Sequence, residues 1–500
     1  MTDHALRLLR RDRRLAELAA YPFDFDVDRA AHGHVEPVRL ASGGALEVVA
    51  GDDTGGTYFV CEDGSVLHAT SEGEAGIIGA SVDEALEIII GLAEAEEYDE
   101  DEEDEEDECA AGQRRLLEEA RAELRAALGF PQRSREELED LLRTALLRTE
   151  PDFLLLNAEE HHAYRLLDSY PRPPLWETVL APGRADLALL RAGDRAAWEA
   201  VGRDPVRRRL ALRAAQFDRA EGDLGLLRHL LRQEAASSMT DELRLAAVLV
   251  GLHGQEADLP LLHEVRETDY DTWCGLGGMP GPGADGDELR TWASELDDAL
   301  FGTDPADEPV VTWTGLARDQ GRTELARAAL IRRLDAIVMD QSRLRRPGAP
   351  GRLTTAPLRV LADEFEELGD LVQALRAQRL YAALQETPYD RVSALLAQAR
   401  LERRTGRLPR AARALAALRD TLAGPDADGP LRHWRTTNLG RLVTEEHCRL
   451  ALALADADLP EEARAVHTAA ASLLGELSED AAAGVRELAG EAAARIRQFS

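Results

Sequence analysis

The sequence predicts a small α+β N-terminal domain followed by a predominantly all-α solenoid of helical-hairpin repeats. Three observations predict it. The phrase Asp-Leu-x-Leu-Leu recurs at Asp186–Leu190, Asp223–Leu227 and Asp258–Leu262, its Asp residues 37 and 35 positions apart. Such a recurrence marks stacked two-helix units, none able to bury its apolar face alone. Residues 35–92 have a different texture, with β-formers broken by glycine turns. Aromatic residues make up only 5% of the chain, so the core is built mainly from Leu and Ala, which suits closely packed helices.

Taken in order, residues 1–20 read as a short amphipathic helix, with Leu6, Leu9, Leu15 and Leu18 set among Arg7, Arg10, Arg11, Arg13 and Arg14. Ala45–Ala50, Thr57–Glu62 and Ser65–Thr70 read as strands, separated by the Gly51–Gly56 break and the Asp63-Gly64 hairpin turn. Ala75–Ala80 reads as a fourth strand. Ser81-Val-Asp-Glu84 is a capping box that opens a helix through Ile88, Ile89, Ile90 and Leu92. Between Glu94 and Glu108 lie 13 acidic residues and no base; like charges this dense repel and stay solvated, so 94–112 reads as a linker.

Helical periodicity then dominates. Arg114–Leu128 and Arg135–Leu147 are amphipathic stretches separated by Gly129-Phe-Pro131, and Asp241–Val250 is a helix that stops at Gly254. Eight glycines and prolines in Gly275–Asp287 predict a surface loop. A second pattern occupies the last third: Gly321 with Ala326, Gly369 with Ala374, Gly406 with Ala411, and Asp458 with Ala463. Here Gly or Asp ends one helix, and a small Ala in the next lets the pair approach closely. The expected division is 1–93, an acidic linker at 94–112, repeats over 113–300, and a second repeat type over 301–500.

The order Ala50–Val60, Gly64–Val66 and Ala80–Leu86 resembles the core of the SUKH superfamily. That resemblance implies an α+β domain and, as in many bacterial members, an immunity protein that binds and blocks a toxin. The 113–300 repeats resemble HEAT pairs, and Leu401–Ala411 looks like a tetratricopeptide unit, without that family's helix-A Trp, Leu-Gly and Tyr.

The net charge is −35. Such a chain repels phosphate backbones and argues against nucleic acid as a partner, while attracting a basic protein by salt-sensitive steering. All 59 basic residues are Arg, as in chains from GC-rich genomes. Cys61, Cys109, Cys274 and Cys448 lie far apart, so neither a disulfide framework nor a zinc site is expected. The basic start has no apolar leader core, and no stretch reaches 18 uncharged apolar residues, so neither secretion nor a membrane partner is expected and a reducing bacterial cytoplasm is.

No Gly-rich phosphate loop with Lys, no Gly-x-Ser-x-Gly and no His-Glu-x-x-His occurs. Glu159-Glu160-His161-His162 and Glu445-Glu446-His447-Cys448 lack the i,i+4 spacing that puts two ligands on one helix face. We therefore expect no catalytic residue, no metal and no cofactor. The candidates for binding another protein, such as a basic toxin, are Asp52, Asp53 and Tyr58 at the glycine turn, the Tyr270–Trp273 pair at the loop mouth, and Arg403, Arg407 and Arg410. These arginines belong to a run at three- and four-residue intervals, predicted to form one positive ridge that suits an acidic partner or the chain's own acidic run. The alternative function is a regulatory scaffold that binds host proteins or peptides.

Overall fold

A computed structural model describes residues 4–94, 106–346, 349–424 and 429–498. A small strand-containing N-terminal region is followed by a long run of helices. The described chain forms two compact units, Met1–Leu156 with Tyr164–Ala329, and Asn157–Ala163 with Leu330–Ser500. The change of repeat pattern in the sequence falls near residue 300, whereas the units divide inside the helix Thr323–Met339.

In the first unit the strands are β1 (Val38–Leu40), β2 (Leu46–Gly51), β3 (Thr57–Cys61), β4 (Val66–Ala69), β5 (Glu74–Gly79), β6 (Leu155–Asn157) and β7 (Arg165–Leu166). One sheet runs β2-β3-β4-β5-β7, with β2 to β5 antiparallel and β7 parallel to β5. β1 pairs with β6 in a separate ribbon. Gly64 takes φ +90° in the hairpin between β3 and β4, a conformation open to glycine and costly for other residues. The helix Val82–Leu92 follows β5. Ser81 Oγ accepts from the Glu84 amide at 3.2 Å, but the Glu84 carboxylate returns to the Ala80 amide at 2.9 Å and not to Ser81, so the predicted box is displaced by one residue.

Two expectations need correction here. The N-terminal stretch is two helices, His4–Leu9 and Arg13–Ala20, because the Asp12 carboxylate caps the second by accepting from the Arg14 and Leu15 amides. The helices Glu106–Leu128 and Arg135–Leu147, expected as the first repeats, belong to the core of the sheet domain. Leu117, Leu124, Leu128 and Leu146 are buried with Phe25, Ile78, Leu86 and Ile90. The reason is geometric: Gly76 of β5 leaves space that Leu146 fills, and a Cβ there would lie 2.8 Å from Leu146 Cδ2. The linker is correspondingly shorter than expected, since helix begins at Glu106; residues 95–105 lie outside the described residues.

Helices then follow at Leu175–Arg191, Arg195–Arg203, Pro205–Phe217, Leu224–Glu234, Asp241–Leu252, Leu259–Arg266, Tyr270–Gly275, Gly286–Leu300 and Val310–Asp319. The second and third Asp-Leu-x-Leu-Leu phrases are structurally equivalent: each Asp closes a short 3-10 turn, and its leucines open the following helix and enter one core. The first is not, because Asp186 lies in mid-helix. The Gly275–Asp287 stretch is a loop up to Gly286, anchored by buried Leu276 and Met279.

The acidic residues of these phrases are buried and paired. Arg191 donates to both Asp223 oxygens at 3.0 and 2.8 Å, and Arg228 to both Asp258 oxygens at 2.5 and 3.1 Å. Arg191 and Arg228 each follow a Leu-Leu directly, so the working phrase is Asp-Leu-x-Leu-Leu-Arg, with the Arg of one unit clamping the Asp of the next. Arg207 holds Asp186 at 2.9 and 2.5 Å, while Arg208 and Arg209 both hold the fully buried Glu234, at 2.6 and 2.9 Å. The Arg207–Arg209 cluster is therefore structural.

In the second unit the helices pair as hairpins: Ala356–Glu367 with Leu371–Ala383, Pro388–Arg404 with Leu408–Ala423, and Asn438–Asp456 with Pro460–Glu476, followed by Glu479–Ala483 and Arg486–Arg497. The predicted turns hold. Gly369 and Gly406 take φ +73° and +74°, and Asp458 +57°. At each, the next amide reaches back to the carbonyl five residues earlier: Asp370 to Phe365 at 2.9 Å, Arg407 to Glu402 at 2.8 Å and Leu459 to Leu454 at 2.9 Å. Ala374, Ala411 and Ala463 are fully buried at the crossings. The same turn occurs at Gly321 and Ala326, within the first unit.

Candidate functional site

In the sheet domain the glycine turn is organised inward. The Asp52 carboxylate accepts from the Thr54 amide and hydroxyl, from the Gly56 amide at 2.7 Å, and from His68 Nε2 at 2.9 Å. A Cβ on Gly56 would lie 2.1 Å from Asp52 Oδ2, so this approach needs glycine. Burial raises the Asp52 pKa, but the bonds from His68, Thr54 and Gly56 outweigh it and hold the carboxyl well below its ordinary range. Tyr58 is buried, and its ring stacks on His68 at 4.4 Å. Asp52 and Tyr58, expected to face a partner, are thus committed to the interior. Asp53 is exposed. Beside them His34 bridges the Thr57 hydroxyl and the Tyr164 hydroxyl at 3.0 Å each, and Tyr164 donates to Glu36. Burial raises the Tyr164 pKa and lowers that of His34.

Tyr270 and Trp273 lie on the short helix Tyr270–Gly275, not on the loop as expected. Asp269 caps this helix by accepting from the Thr272 amide at 2.7 Å. The two rings stack at 6.3 Å with an 18° tilt, and remain 77% and 50% exposed. Arg266 lies over the Trp273 ring at 5.2 Å. Glu264, Glu267 and Asp271 are exposed on the same short segment. By contrast, Trp292, Trp313 and Trp434 are buried.

The predicted arginine ridge is divided by its partners. Arg400 and Arg404 pair with Glu366, and Arg403 donates to Glu446 at 2.7 Å. Arg403 is thereby a structural residue. Arg407, Arg410 and Arg413 instead line a cleft of about 440 Å³ together with Arg379, Pro409 and Glu159. The turn at Gly406 places Arg407 at the start of Leu408–Ala423, and Arg410 and Arg413 follow on its first two turns. Arg379 comes from the preceding hairpin and is fixed by the buried Glu402 at 2.8 Å through two nitrogens. Glu159 and His161 come from the Asn157–Ala163 loop, where the Asn157 side chain accepts from the Glu159 and Glu160 amides and the His161 carbonyl accepts from Gln373 at 2.7 Å. Among the described residues, the guanidinium groups of Arg410 and Arg413 have no ion-pair or hydrogen-bond partner. Burial and the neighbouring charges of Arg379 and Arg410, opposed by Glu402, push the Arg407 pKa below its ordinary value.

The two acidic-His groups do not converge. His447 is buried and donates from Nδ1 to the Val443 carbonyl at 2.8 Å, with its pKa lowered by burial to about 4. Among the described residues no group of three or more His, Cys, Asp or Glu could hold a metal ion, and no helix is long and apolar enough to cross a membrane.

Sequence reasoning placed Arg407, Arg410 and Arg413 on one ridge but did not join Arg379 or Glu159 to them. Nothing local could have indicated Glu159, more than 200 residues away. No family model, curated protein or solved structure matches the chain.

Proposed function

We propose that the chain is a non-catalytic protein-binding protein that docks a basic partner on the Tyr270–Trp273 pair. One observation carries this reading: two large stacked aromatic rings stand exposed on a capped helix, with carboxylates flanking them. Aromatic side chains of this kind act as anchors because they lose little rotamer entropy on burial, and an aromatic face attracts a guanidinium or ammonium group. Glu264, Glu267 and Asp271, with the net charge of −35, favour a partner whose contact surface is rich in Lys or Arg. The displaced titratable groups support a non-catalytic role, since Asp52, His34, Tyr164 and His447 are each engaged by structural hydrogen bonds. Occlusion of a basic toxin, as the SUKH-like sequence implies, is the form of this function that agrees with the charge.

The test is affinity capture with the full chain and its Tyr270→Ala/Trp273→Ala variant at low and moderate salt. A basic protein retained by the first and lost from the second, with retention weakened by salt, is the expected result. If that protein is a toxin, the full chain in stoichiometric excess abolishes its activity. Capture of the same proteins by both forms removes the aromatic pair as the docking site. Neutral or acidic partners would replace the immunity reading with that of a regulatory scaffold.

A further inference from the structure

We propose that the arginine cleft of the second unit binds a small molecule carrying at least two phosphoryl groups. The cleft shares no residue with the aromatic pair, and the proposal stands whether or not that pair binds a protein.

Charge is the first ground. On a chain with a surplus of 35 negative charges, four guanidinium groups share one cleft, and among the described residues only Arg379 has a carboxylate bonded to it. Setting Glu159 and Glu402 against the four arginines leaves a formal surplus of two positive charges. Arg407 borders both Arg379 and Arg410 and has no carboxylate within ion-pair distance among the described residues. Like charges held together at a partly buried position raise the energy of the empty site, and a bound dianion relieves it. Elsewhere the same side chain is neutralised with care, as at Asp223, Asp258 and Glu234. In the cleft, Arg407, Arg410 and Arg413 lack that match among the described residues.

Preorganisation is the second. Arg379 is held from behind by two hydrogen bonds to Glu402, which leaves its remaining edge oriented. Arg407 is fixed at its backbone by the bond to the Glu402 carbonyl and contacts His161 Nε2 at 3.4 Å. One buried carboxylate residue thus positions two of the four arginines. A guanidinium fork matches two oxygens of a phosphoryl group, and fixing it beforehand reduces the entropy lost on binding.

Size and lining choose the ligand class. A cleft of about 440 Å³ exceeds what one phosphate fills and lies within the range of small-molecule sites. Among the described residues Pro409 is the only uncharged one in the lining, so an acidic peptide would find no pocket for an apolar anchor. A compact polyanion needs none.

The probe is sodium pyrophosphate, titrated calorimetrically into the full chain at low salt, beside sodium sulfate and an oligoglutamate peptide. The variants are Arg410→Glu/Arg413→Glu and the milder Arg410→Gln/Arg413→Gln. Both positions are exposed, and circular dichroism with thermal unfolding verifies that the variants fold. We expect saturable binding of one pyrophosphate, weakened at least tenfold by the Glu pair and less by the Gln pair, with sulfate much weaker. No binding to the full chain, or equal binding to folded variants, overturns the proposal. Sulfate equal to pyrophosphate would mean unselective adsorption of anions, and tighter oligoglutamate would mean a site for an acidic protein segment; either result overturns it too.

Discussion

The helical part of the first unit and the arginine cleft of the second use one residue type to opposite ends. In the first, arginines meet carboxylates in register: Arg191 with Asp223, Arg228 with Asp258, Arg208 and Arg209 with Glu234. All three acids are almost fully buried, and each has its charge answered. In the second, Arg400, Arg403 and Arg404 are matched in the same way, but Arg407, Arg410 and Arg413 meet no carboxylate among the described residues. The difference teaches that an arginine's role is set by whether a carboxylate reaches it. Matched pairs fix how helices stack. Unmatched groups, exposed and close together, leave charge available to something else.

The sharpest way to break this comparison is at Glu234. Glu234→Gln leaves Arg208 and Arg209 around a neutral side chain in a dry site, and should cost roughly 3–5 kcal/mol in urea unfolding, the range for breaking a buried ion pair. A loss below 1 kcal/mol would mean that the pair is not a structural link.

Acid separates the two units next. The His447 pKa is depressed to about 4 in the folded chain, against about 6.5 when unfolded. The unfolded chain therefore binds the proton first. The stability that neutral His447 contributes is complete above pH 6.5 and is lost as pH falls from there towards 4, by about 3 kcal/mol. Asp52, whose pKa is depressed, acts lower: its contribution is complete above the unfolded carboxylate value near 4 and fades below it. His34 adds an effect in the first unit with the same sign as that of His447. Hydrogen exchange at pH 7 and pH 5 should show the amides around Val443–Leu450 losing protection, and His447→Leu should flatten that dependence.

A smaller effect is expected at the helix crossings. Ala411→Leu adds three carbons where the hairpin leaves no space, at about 1–3 kcal/mol, read from the thermal midpoint. The smallest belongs to the cleft itself: Arg410→Gln/Arg413→Gln should change stability by less than about 0.5 kcal/mol, as for exposed residues without partners. If these two prove as costly as Glu234→Gln, the division between matched and unmatched arginines fails.

Much of the fold was legible where chemistry is local. The αL turns at Gly369, Gly406 and Asp458 and the buried Ala374, Ala411 and Ala463 follow from backbone freedom and side-chain size, both visible in a few residues. The strands β2 to β5 were visible for the same reason. What the sequence hid depends on distance. The leucines of 106–147 look like any amphipathic repeat, and only the uncovered face of the sheet assigns them to it. β7 is two residues long, too short for any period to show. Asp52 and Tyr58 looked like surface residues because their turn is glycine-rich, but His68, on the neighbouring strand, draws both inward. Of the site, the arginines were seen as a row, while which of them would be neutralised depended on Glu366 and Glu446, far along the chain.

The forward reach of the repeat arginines sets a rule for how this chain can change in length. Arg191 lies 32 residues ahead of its Asp, and Arg228 lies 30 ahead of its own. Excising 192–228 would set Arg191 where Arg228 stood, 30 residues ahead of Asp258, but would also take Arg207 from Asp186 and Arg208 and Arg209 from the buried Glu234. Length can therefore change here only where both members of each pair go together, since a lone acid in the core is costly. The series stops at its third member by a single substitution: His263 stands where Arg191 and Arg228 stand in the others, and its ring meets the Pro280 carbonyl of the glycine-rich loop at 3.0 Å.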